Sequence, residues 1–274
     1  MTEQHRDVTT DATVLATSAY DGDRHLAARQ HLYDYQQPTY DLPGIVSELL
    51  RNHQFNTIVD VGCGNGRYVT RLRHDYLNAT IIGIDIAPGM LTPIDPPVAQ
   101  ANAMNLPFPD RSVDVVLAMH MIYHLPNIPS GIGELARVLK PGGLLVASTN
   151  ARDDKTELDD LWTAAAGEVL GTQKGPRRVA LSERFPLDDA GDYLANHFTD
   201  ITIHPLPGTI TVTTPEPIIA HLASYESFAD HTGVPFPATI NAARRHLARH
   251  IAQHGTFTTT CHGGIITTQP KEPA

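Results

Sequence analysis

The stretch Val59-Asp60-Val61-Gly62-Cys63-Gly64-Asn65-Gly66, followed by a helix-compatible segment and a second apolar run, Ile81-Ile82-Gly83-Ile84, that ends in Asp85, decides the fold. An apolar run that breaks into three alternating glycines reads as a buried strand turning sharply into a helix. Glycine reaches positive φ without strain and leaves the backbone bare to a ligand. Asp85 then ends the next parallel strand, where dinucleotide-binding folds use a carboxylate to accept ribose hydroxyls. The spacing departs from the dinucleotide fingerprint, however. Gly-x-Gly-x-x-Gly counted from Gly62 requires a glycine at 67, where this chain has Arg67, so NAD is disfavoured.

Outward from this core the chain alternates strand and helix. Near-continuous apolar runs at 57–61, 80–85, 113–119 and 143–148 are what a parallel sheet covered on both faces requires. Val69, Leu72 and Tyr76 mark one intervening helix. Ile128, Ile132, Leu135, Ala136 and Leu139 mark another, stopped by Pro141-Gly142-Gly143. Ahead of the core, Leu26, Gln30 and Tyr33 space a helix within 23–35. A second begins after Asp41 with Pro43 in its first turn and buries Ile45, Val46, Leu49 and Leu50. Beyond Asn150 the pattern predicts helices over 154–170 and 187–197, strands over 199–204 and 208–213, helices near 216–228 and 237–253, and a last strand or hairpin over 256–268.

Four blocks, in order, resemble the class I S-adenosylmethionine-dependent methyltransferases, in the group similar to ubiquinone/menaquinone C-methyltransferases and other small-molecule enzymes. They are the glycine loop 59–66, Gly83-Ile84-Asp85-Ile86, Asn105-Leu106-Pro107-Phe108-Pro109-Asp110, and Leu139-Lys140-Pro141-Gly142-Gly143. The resemblance covers residues 40–150 and thins beyond. It implies an α/β, Rossmann-like doubly wound, mostly parallel seven-stranded sheet with an antiparallel last strand, plus an N-terminal helical lid and an inserted cap. The corresponding division is 1–18 a loose arm, 19–50 the lid, 51–150 the cofactor-binding core, 151–198 the cap, and 199–274 the rest of the sheet with substrate-pocket elements.

The same resemblance implies S-adenosyl-L-methionine as cofactor. Gly62 and Gly64 would bring backbone to its methionine part, with Asp60 bracing the loop or meeting the amino group and Cys63 packed in the loop. Asp85 would accept from the ribose, and Ile86 and Met90 either flank the adenine or are core. Where the family has Gly-Asp-Ala, this chain reads Ala101-Asn102-Ala103, so Asn102 stands in for the aspartate with an amide carbonyl that accepts without charge assistance. Ala103 and Met119 complete this set. Tyr33 and Arg29, on the lid, either fold over the cofactor or pack as core.

Candidate catalytic residues follow the fourth strand, in Met119-His120-Met121-Ile122-Tyr123-His124, where an open parallel sheet places its ligands. His120, Tyr123 or His124 could serve as general base, or the histidines could be structural. No third ligand is spaced to make His120 and His124 a metal pair, so no metal is expected. His246, His250 and His254, beside Arg244, Arg245 and Arg249, read as a solvated basic stripe near a helix end.

Composition bounds the rest. A net charge of -10, from 30 acidic against 20 basic side chains, offers no basic face for nucleic acid. The 2 cysteines, Cys63 and Cys261, give no disulfide framework, and no run reaches the length of a membrane span. A cytoplasmic enzyme is the expectation, transferring methyl to an O, N or C atom of a small molecule in secondary metabolism, with no membrane partner. The arm could swap between protomers of a homodimer. The rival from another class is a catalytically silent, cofactor-binding partner subunit.

Overall fold

The architecture follows from alternate burial on the strands around the glycine loop. In the computed structural model, which describes residues 7–231 and 233–272, the strands are β1 Gln36–Gln37, β2 Thr57–Val61, β3 Thr80–Asp85, β4 Val98–Gln100, β5 Val113–Met119, β6 Leu139–Asn150, β7 Phe198–Val212 and β8 Phe257–Pro270. They form one sheet in the order β1-β7-β8-β6-β5-β2-β3-β4. The pairs among β4, β3, β2, β5 and β6 are parallel, whereas β8 runs antiparallel to both β6 and β7. Ile58, Val115 and Leu117 enter a core shared with the helices Leu42–Leu50 and Arg67–Asp75. Val59, Val61, Val116 and Ala118 enter the opposite one with Ile132 and Leu135. Side chains alternating at period two thus bury both faces of the same strands.

The doubly wound, mostly parallel arrangement is as the resemblance implies, with differences at its edge. The sheet has eight strands rather than seven, because the two-residue β1 adds to β7 at Gln36↔Ile210 and Gln37↔Thr209. Residues 199–204 and 208–213 are not two strands but one. Pro205 and Pro207 sit within β7 because β8 pairs along its length from Phe198↔Pro270 to Val212↔Phe257, while β1 meets the other edge only at its far end. Short β4 carries too little apolar sequence to be anticipated.

The arm departs most from expectation. Over residues 7–18 it is not loose: Asp11 caps a helical turn at Ala12–Val14, and Leu15 and Ala19 are buried in the core on the β5 side. It docks on its own chain. Its apolar anchors are too few to form a sequence period.

Beyond β6, the helix Thr156–Leu170 packs against Phe236–His254 and Glu216–Ala223 around Leu161, Trp162, Leu222, Ala242 and Leu247. This helical layer is a third core lying over β7 and β8. Glu157 ties it to the sheet, accepting from Thr259 Oγ1 at 2.8 Å and from the Thr260 amide at 3.0 Å. The basic stripe is also anchored here, since His246 and Arg245 both reach Glu168.

Burial alone would raise the pKa of Glu157, yet the hydrogen bonds it accepts, including those from Thr259 and Thr260, hold it below the usual carboxylate range. Its stabilisation is therefore present above the unfolded-state pKa and is lost as pH falls through the folded one. Glu157→Ala is expected to lower unfolding stability by ~1–3 kcal/mol at neutral pH, with the deficit shrinking on acidification. Urea titrations of both proteins at two pH values check this.

Candidate functional site

The loop between β2 and the helix Arg67–Asp75 turns through three left-handed glycines, Gly62, Gly64 and Gly66, at φ 70°, 53° and 75°. It is pinned from β3. The Gly62 and Cys63 amides donate to the Ile84 carbonyl at 2.7 and 2.9 Å, and the Gly64 amide donates to Asp85 Oδ2 at 2.9 Å. Asp85 Oδ1 accepts from the Ala87 amide at 2.9 Å. Burial raises the Asp85 pKa and these amides oppose it. A Cβ at Gly64 would stand 2.8 Å from Leu26 Cδ2, so the glycine also lets the lid helix Arg24–His31 close on the loop. Asn65 fastens that closure through its amide donors to Asp23 Oδ1 and Gln30 Oε1 at 3.0 and 2.9 Å.

Above the loop lies a cavity of 560 Å³. Of the residues expected at a cofactor, Gly62, Cys63, Gly64, Asp85, Ile86, Asn102, Ala103, Met119, Tyr33 and Arg29 all face it, as do His120, Tyr123 and His124. Asp60 and Met90 do not. Met90 is buried behind Gly64, its Cε 3.7 Å from where a Cβ there would stand, so of its two readings the core one holds. Among the described residues both Asp60 carboxylate oxygens are buried without a hydrogen-bond partner, and Ile84 and Asp85 brace the loop. Burial, then the nearby Asp85, push the Asp60 pKa up to about 8, which keeps it protonated at neutral pH. The Asn102 carbonyl oxygen accepts from the Met104 amide at 2.9 Å, which leaves it a second lone pair. Cys63 is packed, its thiol pushed far above the ordinary range by burial.

The two histidines differ. His124 Nδ1 lies 2.8 Å from the Thr9 carbonyl oxygen, which can only accept, so Nδ1 carries the proton. Its Nε2 then accepts from the Tyr20 hydroxyl at 2.9 Å. The Tyr20 oxygen in turn accepts from Arg29 Nη1 at 2.8 Å, and Arg29 also donates to the Ser224 hydroxyl and carbonyl. This chain ties arm, lid and C-terminal layer to the exit of β5, and it occupies His124 on both nitrogens. His120 has no ring hydrogen bond among the described residues. Its φ of 53° is left-handed, and its amide donates to Ser148 Oγ and to the Ser148 carbonyl, both at 3.1 Å. Burial lowers both histidines to about 4, leaving both neutral at pH 7.

Sequence reasoning missed the far wall, formed by Asp154, Lys155, His221, Tyr225 and Cys261. These residues come from the exit of β6, the helix Glu216–Ala223 with the turn that follows it, and β8, and no motif links them. A lysine one residue ahead of an apolar helix reads as solvated, and only the fold buries it.

The comparisons agree with this geometry. Residues 59–147 match the family model described as Methyltransferase domain. The chain carries a class I S-adenosylmethionine-dependent methyltransferase domain. The 2-methyl-6-phytyl-1,4-hydroquinone methyltransferase of Synechocystis is 40% identical over 115 residues, 39% of this chain and 36% of that enzyme. An uncharacterized methyltransferase of Mycobacterium tuberculosis is 28% identical over 225 residues, covering 80% of this chain and 84% of that one. A solved Anabaena variabilis structure described as a methyltransferase superposes at TM-score 0.60 with 20% identity, covering 83% of this chain and 96% of that one. The cofactor of this domain is S-adenosyl-L-methionine. The residues fit it: the glycine loop offers bare backbone at a cavity of 560 Å³, and Asp85 presents a buried carboxylate at its wall. No helix among the described residues is long and apolar enough to cross a membrane.

Because the folded state depresses the His124 pKa, the unfolded chain binds the extra proton between about pH 6.5 and about 4. Stability from this residue is full above that window and is lost as pH falls through it. His124→Phe is therefore expected to flatten the fall in melting temperature between pH 7 and pH 5 relative to the unaltered protein, as differential scanning fluorimetry would read it.

Proposed function

We propose that the chain transfers the methyl group of S-adenosyl-L-methionine to an oxygen, nitrogen or carbon of a small molecule. The observation that carries this reading is the single cavity reaching from the glycine loop and Asp85 to His120 and Tyr123 at the exit of β5. When bound, the cofactor supplies an electrophilic methyl on a positively charged sulfur. The chain's own residues then have to position, desolvate and manage one proton.

In this reading Asp85 accepts from the ribose, keeping its own orientation through the Gly64 and Ala87 amides. Gly62, Cys63 and Gly64 contribute backbone, Ile86 and Ala103 line the adenine side, and Met119 lies beneath the reacting end. The Leu26 lid and the docked arm exclude water. Holding the acceptor in near-attack geometry can supply roughly 7–11 kcal/mol of the barrier. His120 is the proton acceptor of choice among the three candidates, since its ring is unspent while His124 is bonded at both nitrogens. Tyr123 is held protonated by burial far above its ordinary range and is a poor base. Specialised metabolism, in the cytoplasm, is the setting we favour, on the strength of the tailored helical layer after β6.

Asp85→Ala is expected to weaken binding of S-adenosylhomocysteine by about 1.5–3 kcal/mol with the fold retained, because hydrogen bonds to a charged group are lost. Calorimetry with that ligand and with NAD side by side tests the reading; NAD binding, or unchanged affinity in the variant, would sink it. Where the acceptor is a hydroxyl or amine that must lose a proton, His120→Ala is expected to lower turnover by about a hundredfold to ten-thousandfold while sparing cofactor affinity. Turnover is followed with methyl-labelled cofactor on whichever member of a phenol, amine and carboxylate panel reacts. Binding of the cofactor with transfer to no acceptor of the panel would favour the silent partner subunit.

A further inference from the structure

The far wall of the cavity carries charge that the cofactor reading leaves unused. Lys155 is 2% exposed and sits at the exit of β6 in a left-handed conformation, φ 58°. Its Nζ donates to Asp154 Oδ2 at 2.7 Å and to the Tyr33 hydroxyl oxygen at 2.8 Å. An ammonium has three N–H groups, so one remains for the cavity. The Tyr33 oxygen accepts from Lys155, which frees its own proton to donate. On the other side of Asp154, Oδ1 accepts from the His262 amide at 3.0 Å.

Opposite this pair stands His221, 4% exposed, whose Nδ1 has no hydrogen-bond partner. A buried ring nitrogen without a partner costs free energy, and the cavity that His221 lines is where a partner can enter. The charges acting on His221 are Lys155, Arg178 and Arg29, all cations. Two of these have a carboxylate: Asp154 lies on Lys155, and Asp159 lies 2.7 Å from Arg178. Among the described residues Arg29 has none, its hydrogen-bond partners being Tyr20 and Ser224, with the rings of Tyr20 and Tyr225 5.1 and 4.9 Å from its guanidinium carbon. Cation–π contact softens the burial of that charge without neutralising it. Arg29 is thus a buried cation held by hydroxyls and rings, on the same cavity as Lys155 and His221.

We propose that the acceptor carries an anionic oxygen, a carboxylate or a phenolate, which docks between the free N–H of Lys155, the Tyr33 hydroxyl and the ring of His221. This rests on the methyltransferase reading above and narrows its acceptor. An acceptor that arrives ionised gives up no proton, so with it His120, a desolvated neutral imidazole, lines the site without acting as a base. Lys155 and His120 leave adjacent parallel strands, β6 and β5, and both are non-glycine residues held at positive φ. Such conformations persist only where the surroundings over-determine them.

The test is calorimetry on the full chain saturated with S-adenosylhomocysteine, using isosteric pairs: benzoate against benzamide, and 4-nitrophenolate against 4-nitroaniline at a pH where the phenol is ionised. At least one anion is expected to bind about tenfold or more tightly than its neutral partner, the scale of one hydrogen bond to a charged group. Whichever pair shows it identifies carboxylate or phenolate as the source. Lys155→Met and His221→Phe are each expected to erase most of that preference while leaving S-adenosylhomocysteine affinity in place. Should Lys155→Met fail to fold, His221→Phe, which removes a ring nitrogen that bonds to nothing, decides alone. Equal or tighter binding of the neutral members, no measurable binding of either anion at millimolar concentration, or a preference intact in His221→Phe would overturn the proposal. Failure of S-adenosylhomocysteine itself to bind would instead overturn the methyltransferase reading.

Discussion

The Gly64 amide and the Asp85 carboxylate meet at 2.9 Å, and the rest of the site is built from that contact. The loop after β2 must leave its strand at positive φ, which exposes successive amides with no helical partner. Ile84 and Asp85, at the end of β3, receive three of them. The carboxylate is thus oriented before any ligand arrives, and the loop is fixed by the neighbouring strand rather than by its own sequence. Pre-organisation of this kind means that ligand binding does not also have to order the backbone.

Fixing the loop also fixes the lid. Leu26 rests where a side chain on Gly64 would be, and Asn65 holds Asp23 and Gln30. From the lid, Arg29 passes the closure on to Tyr20 and His124, and His124 passes it to the arm at Thr9. Each member of this relay supplies a donor where the next requires an acceptor, and the direction is set by the one group that cannot donate, the Thr9 carbonyl. Neutral His124 is therefore a condition of closure as much as a result of burial. Protonation would place a second donor against the Tyr20 hydroxyl, whose oxygen already accepts from Arg29.

How legible was all this from the sequence? The strands β2, β3, β5 and β6 announce themselves because burial on both faces forces continuous apolar runs, and the glycine loop with Asp85 does so because few structural roles need those residues in that order. Asp60 belongs to the right motif, but its side chain on β2 is buried in the core and not at the cavity, while Met90, on the helix Pro88–Leu91, takes the core one of its two readings. Phe198–Val212 was divided in two since Pro205 and Gly208 are turn formers locally, and only the long ladder with β8 overrides them. The arm and the far wall were illegible. Leu15, Thr9, Lys155 and His221 act through single contacts made across the whole chain, and a contact without a period leaves no trace in sequence.

That division between legible and illegible follows the division of labour in the cavity. One wall is strand-end backbone and a motif carboxylate, whose placement the βαβ geometry dictates. The other is assembled from the exit of β6, the helix Glu216–Ala223 and β8, parts that meet only because the helical layer packs on the sheet around Trp162 and Leu222. Side chains on that wall can change without disturbing the glycine loop, since no hydrogen bond among the described residues joins Lys155 or His221 to it. Yet Tyr33 accepts from Lys155 while belonging to the lid, at the turn that ends the helix Arg24–His31. Lys155 therefore touches the same lid that the glycine loop holds shut, so the two walls of the cavity meet at the lid.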